Sequence, residues 1–195
     1  MVVVKAKVRK HIISVARKIF TRYGFSNTTM EQIALACGMG KSSVYYYYKS
    51  KADIFKAVVE TEAKELQKKL NMIINNDGSP REKLKNYVMF RLHHLRTVSN
   101  FYAALKEENL AHLDFILEIR TRFDQQELDV VKGILEKGIE EGAFQITNSE
   151  IGAVAIATMM KGLELPLFLS DEHKTDREKL LDELIGVLFY GIIKR

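Results

Sequence analysis

From Lys41 to Tyr48 the chain reads KSSVYYYY, and seven of these eight side chains carry a hydroxyl or an ammonium group. On a helix, the four-residue spacing puts Val44 and Tyr48 on one side. That leaves Lys41, Ser42, Ser43, Tyr45, Tyr46 and Tyr47 at the tip or on the outer side. Consecutive helical residues point about 100° apart, so three adjacent tyrosines cannot all face a core. Phenolic hydroxyls reach phosphate oxygens, serines are small enough to let a helix approach base edges, and Lys41 and Lys51 can neutralise backbone charge. The implied chemistry is recognition of a polyanion, with no bond-making step.

The charge around this segment points the same way. Residues 1–51 hold ten Lys or Arg against one acid, Glu31, a net of +9, while the remaining residues carry −4. Lys and Arg that meet phosphates release condensed counterions, so such a head is an electrostatic footprint for nucleic acid or an anionic surface. The basic residues lack a strongly apolar companion face, which disfavours the membrane surface.

Positioning these side chains requires helices. With 195 residues, 47% of them hydrophobic, two prolines and no tryptophan, the composition suits an all-α fold with a sizeable core. Helix starts are marked by Ser or Thr followed three residues later by an acid: Thr28–Glu31, Ser50–Asp53, Ser79–Glu82, Thr147–Glu150 and Thr175–Glu178. Pro80 follows Ser79 where its missing N–H costs nothing, and Gly24, Gly38 and Gly142 stand where helices stop. The pattern predicts about nine helices, over 5–23, 29–36, 41–47, 51–74, 80–97, 101–110, 115–141, 148–169 and 176–193. The second and third, joined across Cys37, Gly38, Met39 and Gly40, form a helix-turn-helix packed through Ile33, Ala34, Met39 and Val44. We place the DNA-binding head at 1–50 and a helical body at 51–195, with an internal division along the fourth helix. No apolar run approaches the roughly 18 residues of a membrane span. The start has no signal-peptide pattern, and the single Cys37 excludes an intrachain disulfide, so a cytoplasmic location is expected.

Thr28, Thr29, Ile33, Ala34, Gly38, Lys41, Val44, Tyr45, Tyr46, Lys51 and Phe55 together resemble the N-terminal signature of the TetR family of bacterial transcriptional regulators. The likeness covers roughly residues 9–57 and fades after about residue 60. Tyr47 stands where the family often has histidine, and Tyr48 where phenylalanine is usual. The resemblance implies a three-helix DNA-binding head on a larger helical body that dimerises and usually binds a small molecule. The expected partners are therefore double-stranded operator DNA, a second copy of the chain and a hydrophobic effector, with no membrane and no cofactor. The expected DNA contacts are Thr28, Thr29, Lys41, Ser42, Ser43, Tyr45, Tyr46, Tyr47 and Lys51.

In the body, the helix over 148–169 is rich in small residues, and the last helix has apolar residues on more than one side, which implies a second partner surface. The resemblance places the dimer interface on these two helices as half of a four-helix bundle, here through Ala153, Ile156, Met160, Leu163, Leu181, Leu184, Leu188 and Ile192. Arg91 interrupts the stripe Leu84, Tyr87, Val88, Leu92, Leu95, and its guanidinium must either pair with an acid or hold an anionic ligand. Met89, Phe90, Arg91, His94, Phe101, Tyr102, Phe123, Met159 and Met160 are candidate pocket residues, although a plain helical core would use most of them equally well. His93, His94 and His112 invite a metal reading, and Glu108 and His112 have an i, i+4 spacing, but no second matching pair supports a metal site. Neither a nucleophile–base pair nor a Gly-rich phosphate loop points to an enzyme. The expected mechanism is a repressor whose two heads no longer match successive major-groove turns once an effector occupies the body; the alternatives are an effector-independent or activating regulator of the same family, or a helical ligand carrier or enzyme.

Overall fold

A basic run that contains no proline or glycine starts the chain, and in the computed structural model it is one helix, α1 (Val2–Tyr23). The structure describes residues 2–94, 100, 114–169, 179, 182–183, 185–187 and 189. The other described helices are α2 (Met30–Ala36), α3 (Lys41–Tyr47), α4 (Lys51–Asn75), α5 (Pro80–His93), α6 (Asp114–Glu140) and α7 (Ser149–Leu169). Residues 179, 182–183, 185–187 and 189 are also helical, within the range expected for the last helix. The helix expected over 101–110 lies outside the described residues. The chain divides into two compact units, Met1–Glu65 with Thr97–Ile119 and Leu66–Arg96 with Arg120–Arg195. The first division along the chain falls inside α4.

In the first unit, α2 packs against both α1 and α3. Ile12, Ala16 and Phe20 of α1, Ile33 and Ala34 of α2, Val44 of α3, and Ile54, Phe55, Val58 and Val59 of α4 are all buried. Phe20 meets Phe55 edge to face, with ring centroids 5.1 Å apart, and Phe25 closes the cluster at 4.9 Å from Phe55. The start of α2 differs from expectation by one residue. Thr29, not Thr28, is the cap: its hydroxyl accepts from Gln32 N–H, and the Gln32 side chain accepts from Thr29 N–H. The sequence offers both Thr28–Glu31 and Thr29–Gln32, and the first is excluded because the Thr28 hydroxyl donates to Gly24 O at 2.7 Å, closing the end of α1.

In the second unit, Ser79 and Glu82 form the expected reciprocal cap on α5, behind Pro80. The cap on α7 again moves by one residue: Asn148 Oδ1 accepts from Ile151 N–H at 2.9 Å, displacing Thr147. α5 packs against α7. Leu84, Tyr87, Val88 and Leu92 share this core with Val131, Ile134 and Leu135 of α6 and with Ile156, Ala157 and Met160 of α7. Phe144 folds back over α6 at Gly138, where a Cβ would lie 2.1 Å from the phenyl ring, so only glycine admits that return.

Candidate nucleic-acid interface

The turn between α2 and α3 is tight because Gly38 takes φ +65° and Met39 N–H reaches back to Ala34 O at 2.9 Å. It holds α3 with Val44 fully buried beneath it. Ser42, Ser43, Tyr45 and Tyr46 are exposed, and Tyr47 is half-buried. Tyr46 is the most open tyrosine of α3 at 69% and lies edge to face on Tyr47 at 5.1 Å. Tyr48 is buried just past the helix, where its backbone turns extended. Burial pushes the Tyr48 hydroxyl up in pKa, while the Arg9 guanidinium, 5.1 Å from its ring, pulls the other way.

The expected contacts now separate. Thr29 caps α2, while Lys41, Ser42, Ser43, Tyr45, Tyr46 and Tyr47 lie along α3. Thr28 is 1% exposed and leaves the set, because its hydroxyl belongs to the α1 terminus. The only acid of the head, Glu31, pairs with Lys41 across the two helices. A hydrogen bond from Lys41 holds the Glu31 carboxyl below its usual range and raises the Lys41 ammonium. Lys51 donates from Nζ to Phe25 O at 2.7 Å and to Ser26 O at 3.4 Å, and it stacks over the Phe25 ring at 4.3 Å. Its cation thus ties the start of α4 to the loop after α1.

Two structural groups escaped the sequence reading. Glu62, with no exposed surface, accepts from Arg17 Nε at 3.0 Å, from the Asn100 side chain at 2.7 Å and from Asn100 N–H at 3.1 Å. Glu127 is the partner of Arg91: Arg91 Nε donates to its Oε1 at 2.9 Å, and both side chains are about 95% buried or more. Arg91 therefore has the buried acidic partner that the first of its two readings required. The only sequence signal for Glu62 was an acid at an inward position of α4.

Among the described residues the pocket candidates fall in different places. Met89, Phe90 and His94 line a cavity of about 440 Å³ together with Ile73, Asp77 and Lys83. His94 stacks on Phe90 at 3.7 Å, and burial pulls its pKa down. Phe123 lines a separate space of about 20 Å³ beside Tyr87 and Glu127. Met160 is fully buried and Met159 half-buried, and neither reaches these cavities. Phe101 and Tyr102 lie outside the described residues. The dimer candidates need a similar correction, because Ala153, Ile156 and Met160 are buried within their own chain. The open side of α7 carries Ile151 (68%), Val154 (49%), Ala155, Thr158 and Gly162, with Leu163 half-exposed. On a helix rich in small residues every side reads as apolar, so the phase was not fixed by pattern alone. Leu181, Leu184, Leu188 and Ile192 lie outside the described residues.

Comparison with known proteins agrees with this geometry. Residues 12–58 match the family model for bacterial regulatory proteins of the tetR family, and residues 60–194 match the QacR-like C-terminal region. YfiR, an HTH-type transcriptional regulator of Bacillus subtilis, is 28% identical over 88% of this chain and 85% of its own. The crystal structure of a transcriptional regulator from Cytophaga hutchinsonii is 29% identical, with a TM-score of 0.79 over 94% of this chain and 97% of that one. The fold is also shared by AibR, solved with isovaleryl coenzyme A and operator DNA, at 18% identity and a TM-score of 0.67 over 93% and 98% of the two chains. With both parts matched by the family's models, the chain belongs to the TetR family of DNA-binding transcriptional regulators.

Proposed function

We propose that the protein is a homodimeric repressor whose affinity for operator DNA falls when a small hydrophobic or amphiphilic molecule occupies the second unit. The observation that carries the DNA half is the outward face of α3, where Ser42, Ser43, Tyr45 and Tyr46 stand open on a buried Val44. A hydroxyl-rich, acid-free helix of this kind suits phosphates and base edges. The open apolar face of α7 supports the dimer, since Ile151 and Val154 lack cover within their own chain while the small Ala155 and Gly162 permit close helix approach. A dimer presents two α3 helices, which suits half-sites about 34 Å apart. The 440 Å³ cavity supports the effector half, with Met89 and Phe90 as apolar wall and Asp77, Lys83 and His94 as polar wall. AibR, with its coenzyme A ester and operator, shows that this fold accommodates both kinds of partner.

An effector acts only through unequal affinity for the DNA-competent state and its alternative. The test is therefore an operator-release titration, using a duplex selected by the full-length protein and a panel of acidic, neutral and basic amphiphiles. Release by one class, weakened in Phe90→Ala, supports the reading. A panel that moves neither DNA affinity nor melting temperature removes the effector and leaves a regulator that does not respond to ligand.

A further inference from the structure

Between Val4 and His11, α1 carries no buried side chain. From Val4 to His11 every side chain is exposed except the half-buried Val8, and the first buried residue among those described is Ile12. These turns extend the helix whose buried part starts at Ile12, so the costly nucleation step is already met there. Lys5, Lys7, Arg9 and Lys10 lie in this stretch with no acid among them. The family model begins only at residue 12. The stretch is nevertheless docked on the helix-turn-helix at three points. The Lys5 ammonium lies over the Tyr46 ring, 4.9 Å from its centroid. The Arg9 guanidinium lies over Tyr48 at 5.1 Å, and His11 Nε2 reaches Cys37 O at 3.3 Å.

Tyr46 is the most exposed aromatic of α3, and a cation over its face is held where α3 meets its target. We propose that the first three turns of α1 are a second DNA-contacting element, in which Lys5, held over Tyr46, binds a phosphate beside the bases met by α3. The aromatic face restrains a side chain that otherwise loses rotamer freedom on binding, so the contact is pre-organised. Geometry singles out one lysine among several. Lys7 lies two residues on, about 200° round the helix, and points away from the side that meets α3. Lys5 and Lys7 carry equal charge on one short segment, and only Lys5 is set beside the reading helix.

The experiment measures affinity of the full-length protein for a duplex selected from a random-sequence pool, at salt concentrations from 50 to 200 mM. Each phosphate contact contributes about 0.9 to the slope of log K against log salt. Lys5→Gln is expected to lower the slope by about one, so that the wild-type advantage shrinks about 3.5-fold across that range. Lys5→Arg should restore the slope, Lys7→Gln should leave it unchanged, and Lys5→Gln should add nothing in a Tyr46→Leu background. Melting temperatures should be equal for wild type and both Gln variants, since neither side chain is buried. Equal slopes for Lys5→Gln and wild type overturn the proposal. Equal losses for Lys5→Gln and Lys7→Gln overturn it in favour of diffuse attraction. An unchanged DNA slope with lost binding to phosphatidylglycerol vesicles overturns it in favour of a membrane surface.

Discussion

Replacing Arg91 by Met should destabilise the second unit by about 3–5 kcal/mol, the usual cost of leaving one member of a buried ion pair without its partner. Arg91 Nε lies 2.9 Å from Glu127 Oε1, and the two side chains are only 5% and 2% exposed. Water screens the buried Glu127 carboxylate little, and the Tyr87 hydroxyl, a neutral hydrogen-bond partner, cannot replace the Arg91 cation. For a chain of this length the loss corresponds to a fall in Tm of about 6–20 °C. Urea unfolding with m unchanged is the assay, because an altered m would signal a different unfolded or native state. The double variant Arg91→Met, Glu127→Leu should recover most of the loss, since buried pairs exchanged for apolar side chains of similar volume are often close to neutral. Any response to effector should survive in the double variant, because Arg91 faces Glu127 and not the cavity. A single variant within about 1 kcal/mol of wild type would refute the reasoning, as would a double variant less stable than the single.

Three further outcomes follow from the same contacts. Tyr48→Ala should cost about 3–4 kcal/mol of stability, whereas Tyr46→Phe should leave the melting curve in place and weaken duplex binding by about 1 kcal/mol; the reverse pattern in melting and anisotropy data would mean the faces of α3 are exchanged. Lys51→Ala should lower thermal stability by removing the cap on Phe25 O and Ser26 O while leaving the salt slope of DNA binding nearly unchanged, and a slope reduced by about one would return Lys51 to the phosphate contacts. Burial, and then the Glu127 carboxylate, push the Tyr87 hydroxyl well above its ordinary pKa. The folded state therefore holds that proton more tightly than the unfolded chain, so its stabilising contribution is complete below about pH 10 and is lost as pH rises further. Urea midpoints measured from pH 8 to 11 should fall at the alkaline end, and less steeply in Tyr87→Phe.

What the sequence made legible was local. The turn at Gly38 requires a left-handed backbone, the Ser79–Glu82 box satisfies two orphan donors, and Val44 and Tyr48 differ from their neighbours in helical phase, so these features survive translation into structure. Where two patterns overlapped, tertiary contacts decided. Thr28 and Thr29 both begin a capping box, and only the hydrogen bond from Thr28 to Gly24 O selects the second. On α7, Ala153, Ile156 and Met160 look no different from Ile151, Val154 and Ala155 until a neighbouring helix covers one set. Arg91 signalled that it needed a partner, yet Glu127 lies 36 residues away and only the fold brings the two together. The same holds for Glu62 with Asn100, and for Lys5, whose place in a basic run says nothing about Tyr46.

The central claim, that two copies of this chain read DNA through paired α3 helices, is tested most directly by a hydroxyl-radical footprint on a selected duplex. The predicted result is two protected patches centred about 34 Å apart, with two protomers bound per site, both patches disappearing in a Tyr45→Ala, Tyr46→Ala variant that melts like wild type. Uniform protection without preference over random duplex, or two patches that persist in that variant, would contradict it.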